Sequence, residues 1–244
     1  MFSRTFRAER IKLHHNPVWL AFLCLPIIPA VLGTFNYFQN IEILQDKWYS
    51  LWSQQTLFSC FFFLPALIGV YSSYLYRLEH LNHNWNTIMT MPIPVSQFVL
   101  SKLLSATLMV ILTQAWTGVL FILSGKLVGI NAPLPPELLN WLFYGAIGGI
   151  AICAVQLAIS LVIRSFAVPV GIALMGGISG LVASAKGFGV WNPYALLSLG
   201  MQANKSGGTM QCSQSLFLLN SLVFVTISVV FSVLWLKKRD VLTT

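Results

Sequence analysis

Six stretches of this chain run for about 20 residues or more without a lysine, arginine, aspartate or glutamate. They cover 18–38, 56–76, 103–125, 138–163, 165–185 and 215–236. An ionisable group at the bilayer centre costs roughly 3 kcal/mol or more, and about 20 residues of helix cross the hydrocarbon, so such gaps are the lengths a membrane selects. Inside lipid every backbone amide must be paired within its own segment, which makes these spans α-helices. They are too long for barrel strands of about 10 alternating residues. Only 8% of the chain is charged and 57% is hydrophobic, against about 25% charged in a soluble domain. The expected fold is an all-α integral membrane protein with six transmembrane helices.

Four basic residues, Arg4, Arg7, Arg10 and Lys12, precede the first span as they would in a signal peptide. The run is too long and has no small-x-small cleavage site, so Met1 is expected to stay. Orientation follows the lysines and arginines. With the N-terminus inside, the cytoplasmic side holds ten of the 14: those four with Arg77, Lys102, Arg164, Lys237, Lys238 and Arg239. Lys47, Lys126, Lys186 and Lys205 fall outside, and six spans return the C-terminus to the cytoplasm. The net charge of +8 is mostly this topology signal and a match to anionic lipid.

The loops differ in character. The first outer loop carries Trp48, Tyr49 and Trp52, read as interfacial aromatics. The outer loop 186–214 contains "YALLSLGM", expected as a short helix at the membrane surface, and a flexible "NKSGGT". Cys24, Cys60, Cys153 and Cys212 lack CxxC spacing and read as packing residues. No repeat relates the two halves.

Chemistry is mostly missing. "ILSGKL" lacks the first glycine and the final hydroxyl of a phosphate-binding loop, so the chain has no ATPase site of its own. No carboxylate or histidine lies inside a span to relay protons. "GGISG" contains the G-x-S-G of rhomboid-type proteases, but no histidine follows His83 to serve as base, and the paired glutamates of CAAX-type proteases are absent as well. Gly176 with Gly180, and Gly145 with Gly149, read as small-xxx-small faces for close helix packing. Glu79, His80 and His83 share a neighbourhood at helical spacing, and His14 or His15 would have to fold back to complete a metal site; a solvated polar face is the expected reading, with no metal.

The segment "YRLEHLNHNWNTIMTMPIP", from residue 76 to 94, is the polar exception. Leu81, Trp85, Ile88 and Pro92 recur at helical spacing with polar residues on the other sides, so it reads as an amphipathic helix along the inner membrane face. Asn82 or Asn84 is its expected cap, and Pro92 with Pro94 ends it. A plain cytoplasmic turn needs about five residues, so the extra length suggests a surface for a partner.

These residues resemble the ABC-2 type transporter permeases. "FRAERIKLHHNPVWL", followed by the proline-bearing "LPIIP", is similar to that family's N-terminal interfacial helix, here 1–17. "EHLNHNWNTIMTMPIPVSQFVLSKLL" resembles its coupling loop between spans two and three, here 77–102. The Asn84–Trp85 pair looks most like the small permeases of lantibiotic and bacteriocin self-protection, with the bacitracin-export type close by. Asn86 stands where the family usually has a small residue. The resemblance implies one transmembrane domain over 1–244, in the bacterial cell membrane with both termini cytoplasmic. Two separate ATPase subunits carrying ATP and Mg would drive it, beside a second permease chain, identical or related. Arg77, Glu79, Asn82, Asn84, Trp85, Asn86 and Thr87 would couple to the ATPase, with Ile88, Met89 and Pro92 anchoring the helix and Lys102 opening span three. Glu79→Lys is then expected to weaken ATPase association and leave the fold intact. A peptide antibiotic would be exported past Tyr71, Gln114, Trp116 and Gln156, although the two glutamines read equally well as pairing between helices. A permease for lipid, haem or another small molecule, or a membrane sensor or assembly protein without transport activity, would share the same spans.

Overall fold

The computed structural model describes residues 2–14, 16–81, 84–205, 210 and 212–238. Asn82, His15, His83, Arg239 and most of "NKSGGT" lie outside them, as does the side chain of Met89. The described chain is all-helical, 80% helix and without strands. Its six helices long and apolar enough to cross a membrane are Val18–Gln39, Trp48–His80, Val95–Leu127, Leu138–Val162, Ala167–Ala185 and Gln214–Lys238.

The chain opens with α1, Phe2–Leu13, followed by a first span in two parts, α2 at Val18–Cys24 and α3 at Ile27–Gln39. Pro17 and Pro26 stand before these two helices, where a missing amide hydrogen costs nothing. The second span joins α4, Trp48–Phe58, through a π-helical turn, Ser59–Phe63, to α5, Leu64–His80. After the short α6, Asn84–Thr90, come α7 at Val95–Leu127, α8 at Leu138–Val162 and α9 at Ala167–Ala185. A 3-10 turn at Gly189–Trp191 and α10, Ala195–Gly200, lead to α11, Gln214–Lys238.

Two helix ends are set by glycines in left-handed backbone. Gly129, at φ 83°, lets the Ile130 amide turn back and donate to Gly125 O at 2.9 Å, closing α7. Gly187, at φ 80°, does the same for α9 through the Phe188 amide and Ala183 O, also at 2.9 Å.

The second and third spans are longer than the charge-free runs on which they rest. At 1.5 Å per residue their 33 residues reach about 50 Å, well beyond a hydrocarbon core of about 30 Å. At one end α7 starts at Val95, so Lys102 lies inside the helix, and α5 continues past Arg77 to His80. At the other end the aromatics expected at the interface are core residues. Trp48 and Trp52 are almost fully buried, and their indoles donate to Ala132 O and Met201 O, both at 2.8 Å. Trp52 also stacks on Trp141 at 5.1 Å, and Tyr49 Oη donates to Glu137 Oε2 at 2.9 Å. A loop carbonyl waits for each indole N–H, which satisfies in the interior what an interfacial tryptophan would satisfy with water.

The helix in "YALLSLGM" forms but is not at the surface: all six residues of α10 are buried, against α8 and α9. Its one polar side chain, Ser198, donates back to Ala195 O at 2.8 Å and the rest is apolar, which favours burial over lying flat at an interface. Two glycines let it in. A Cβ at Gly148 would meet the Leu196 carbonyl carbon at 2.5 Å, and one at Gly200 would meet Tyr144 O at 2.4 Å. The second and fourth spans are mostly buried, whereas the first, fifth and sixth keep most of their surface outward.

Candidate functional site

The chain has six acidic residues, and two of them converge on two lysines at one end of the bundle. α1 presents Thr5, Glu9 and Leu13 inward at intervals of four, the repeat that stacks side chains on one helix face. That face packs against α7. Glu9 Oε2 accepts from Lys102 Nζ at 3.0 Å and Glu9 Oε1 from Lys12 Nζ at 2.9 Å. Glu79 Oε1, on the last turn of α5, accepts from both, at 2.6 Å from Lys12 and 2.8 Å from Lys102. Lys102 Nζ gives its third hydrogen to Leu75 O at 2.9 Å, so a side chain with no solvent exposure has every donor used.

The cluster is neutral, two carboxylates against two ammoniums, which is the condition for keeping charge out of water. Burial alone would raise the Glu9 pKa, but the Lys102 and Lys12 ammoniums outweigh it and hold the group below the ordinary carboxylate value. Burial would likewise lower Lys12, but Glu9 and Glu79 together carry it above the usual lysine value.

α6 is tied to this cluster by one ring. Trp85 is 1% exposed, stacks on Tyr76 at 6.3 Å and meets Phe98 edge-on at 5.8 Å. The Lys102 ammonium faces the same two rings, 5.2 Å from Tyr76 and 4.9 Å from Phe98. Trp85 Nε1 donates to His80 Nδ1 at 3.0 Å, and His80 Nε2 lies 3.3 Å from Ser160 O on α8. With both ring nitrogens engaged, His80 is a link between α6 and α8, in the tautomer that carries its proton on Nε2.

The polar segment is therefore divided differently from the continuous amphipathic helix read in the sequence. Glu79 and His80 close α5, Leu81 is extended, and the helix proper begins at Asn84, whose amide donates to Leu78 O at 2.7 Å. Among the seven residues expected to couple to an ATPase, Glu79 and Trp85 point inward, Asn84 is half-buried, and Arg77, Asn86 and Thr87 are exposed. Arg77 also lies 5.5 Å from the Phe166 ring at the start of α9. Asn82 lies outside the described residues. Of the residues expected to anchor α6, Ile88 is half-buried and Pro92 exposed.

The four residues expected along a substrate path are not gathered into one lining. Tyr71 Oη is 2.9 Å from Thr113 Oγ1 in the interior. Gln114 lies against Met201 Sδ at 3.6 Å, beside Gly145. Gln156 is fully buried; its amide oxygen accepts from Tyr194 Oη at 2.7 Å and Ala173 N at 3.2 Å while its nitrogen donates to Pro169 O at 3.2 Å, stitching α8 to α9. Trp116 is half-exposed on α7 and donates to Leu23 O at 3.2 Å, across to α2. The four packing glycines sit at close approaches: Gly145 against Met201, Gly149 against Val110, Gly176 and Gly180 against Tyr194. Ser179 Oγ donates to Gly176 O at 2.7 Å and accepts from Asn192 at 3.1 Å. No group of three histidines, cysteines, aspartates or glutamates with metal-binding geometry occurs among the described residues.

A family model described as ABC-2 family transporter protein matches residues 5–180. The chain belongs to the ABC-2 family. The match runs from α1 into α9 and so takes in Glu9, Lys12, Glu79 and Lys102 together. An ABC-2 permease is the transmembrane component of an ABC transporter, generally not catalytic itself, and it implies an ATPase partner. No curated protein matches the chain.

Glu9 and Lys12 are the residues that sequence reading passed over, counting Lys12 only as basic charge. One signal was available: Glu9 is the single acid in a basic helix, and it shares a face with Thr5 and Leu13.

Proposed function

We propose that this ABC-2 permease takes its drive from a separate ATPase seated on α6, and that it exports a peptide antibiotic of the lantibiotic or bacteriocin type from a bacterial cell membrane. The observation that carries the first half is the ionic cluster. It joins α1, the end of the second span and the start of the third at the base of the short helix. A push on α6 at the exposed Asn86 and Thr87 would pass through Trp85 to Tyr76 and Phe98, and so to two spans at once. A flexible loop in the same position would absorb it.

In this reading α1 lies along the cytoplasmic face of the membrane, its Arg4, Arg7 and Arg10 turned outward and Glu9 turned in. Two ATPase subunits, each with ATP and Mg, serve two permease chains, the second identical to this one or related. Tyr71, Gln114 and Gln156 are buried between helices, so a path that uses them opens only as the spans separate, whereas Trp116 is already half-exposed.

The peptide cargo rests on the likeness of the Asn84–Trp85 segment to self-protection permeases. Its test is survival of sensitive bacteria that express the chain with its ATPase. The expected result is a higher inhibitory concentration for a lantibiotic and none for unrelated drugs. Unchanged sensitivity to every peptide tried would remove the cargo assignment and leave the permease assignment standing.

A further inference from the structure

His80 is the last residue of α5, and Trp85 stands in the first turn of α6. The bond between them has a fixed direction. An indole nitrogen can only donate, so His80 Nδ1, 3.0 Å from Trp85 Nε1, must offer a lone pair. A carbonyl can only accept, so His80 Nε2, 3.3 Å from Ser160 O, carries the proton. The two bonds together require a neutral ring.

A second proton can enter only at Nδ1. It turns that nitrogen into a donor and sets it against the indole N–H, so the tie that runs from α6 through the ring to α8 becomes a repulsion. The charged groups around the ring offer no compensation. Glu79 faces it from α5, Lys102 from α7 and Arg164 from the turn after α8, one carboxylate against two cations. That carboxylate is already shared by Lys12 and Lys102. His80 is half-buried, so solvent reaches the residue.

α6 depends on few ties of this kind. It is seven residues long; the Asn84 amide reaches Leu78 O, and the Trp85 ring packs on Tyr76 and Phe98. A segment held by so few contacts opens locally without the spans, and losing one contact moves its equilibrium.

We propose that His80 is a proton-sensitive latch: its neutral ring holds α6 against the fourth span, and its protonated ring lets α6 go. The consequence for transport rests on the seat of the ATPase on α6. A released α6 no longer passes a push to α8, so drive would fall as the cytoplasm acidifies.

The test is hydrogen-exchange protection of Asn84–Thr90 in the purified full chain in detergent, taken relative to the intrinsic rate at each pH between about 7.5 and about 5.5. His83, one position before α6, ordinarily titrates in the same range, so every sample also carries His83→Gln. Because only the neutral ring makes the bond, protection should be full above the ordinary histidine value of about 6.5 and lost below it. The fall by pH 5.5 should be about five- to tenfold, the effect of one proton taken up on release. α1 in the same samples should show no change. His80→Gln can make both bonds with its amide and does not titrate, so its profile should be flat. Trp85→Phe keeps a ring on Tyr76 and Phe98 but removes the N–H; its protection should start lower and lose most of the pH dependence. A parent profile without the fall, or a fall that persists undiminished in either variant, would overturn the latch. The ATPase is absent from these samples, so the result judges the latch alone, whereas a wrong seat for the ATPase shows as recovery that ignores changes on α6.

Discussion

Lys102 Nζ, two turns into α7, lies 2.8 Å from Glu79 Oε1 on the last turn of α5, in a position without solvent exposure. The two residues bracket α6, so their contact closes the base of the loop that carries it. Ion pairs of this kind contribute little net stability compared with apolar residues of the same size, but losing one member leaves an uncompensated buried charge. The pair therefore fixes where α6 stands more than it stabilises the bundle.

Lys102→Met should cost about 3–5 kcal/mol, because Glu9 and Glu79 would then share only the half-exposed Lys12. Thermal unfolding in detergent should show a large drop in midpoint. The paired change Lys102→Met with Glu79→Gln should recover part of it, and a double variant no better than the single one would argue against direct coupling. For the same reason Glu79→Lys, which from the sequence looked safe for the fold, should be disruptive: it would place a third ammonium among two.

Acid should release α1 before the bundle. Glu9 has a folded-state pKa below its ordinary value of 4.5, so its contribution is fully present above that value and is lost as pH falls through the lower, folded value. Lys12 has a raised pKa, so its contribution is present below 10.5 and is lost only as pH rises through a still higher value. Hydrogen-exchange protection in α1, taken relative to the intrinsic rate at each pH, should be flat between these limits and should fall as the pH drops below 4.5. Release beginning near neutral pH would contradict the sign of the Glu9 shift.

Trp85→Ala should detach α6 and leave the spans in place. Truncating a buried tryptophan costs about 3–5 kcal/mol, and here the loss falls on a seven-residue helix held at one edge. Protease cleavage between Leu81 and Met91 should become fast while the melting of the spans changes little.

Gly148→Ala should be worse tolerated than Gly145→Ala. The added carbon would meet the Leu196 backbone at 2.5 Å in the first case and Cγ of the unbranched Met201 side chain at 2.4 Å in the second. Overpacking costs about 1–3 kcal/mol, with the upper end expected where backbone must move. Ser179→Ala loses a hydrogen bond to Asn192 and should cost about 1 kcal/mol or less in the midpoint assay.

How much of this could be read in the sequence depends on range. Charge-free runs locate all six spans, because the cost of charge in lipid acts residue by residue. The same criterion cut the third span short at Leu103, since a lysine buried against Glu9, 93 positions away, looks from the sequence like the edge of the membrane. Trp48 and Trp52 were misplaced for a similar reason: an interfacial and a buried tryptophan have the same neighbours in sequence, and the carbonyls of Ala132 and Met201 that accept their N–H groups lie far along the chain. The position and apolar face of α6 were legible from Trp85 and Ile88, but the burial of the two residues that close α5 before it was not. Glu79 and His80 are polar residues of the kind that usually face water, and only the fold supplies Lys102 and Ser160 as their partners.

The most direct test of the coupling role is co-purification of the ATPase with variants on the exposed side of α6. Asn86 and Thr87 are exposed and are not among the residues that stack on Trp85 or form the ionic cluster, so with Asn86→Arg and Thr87→Arg the ring stack and the cluster should stay in place, and the spans should melt within a few degrees of the parent. ATPase recovery should fall by about tenfold or more, the scale of a disrupted interface centre. Full recovery of the ATPase with both arginines in place would contradict the seat on α6.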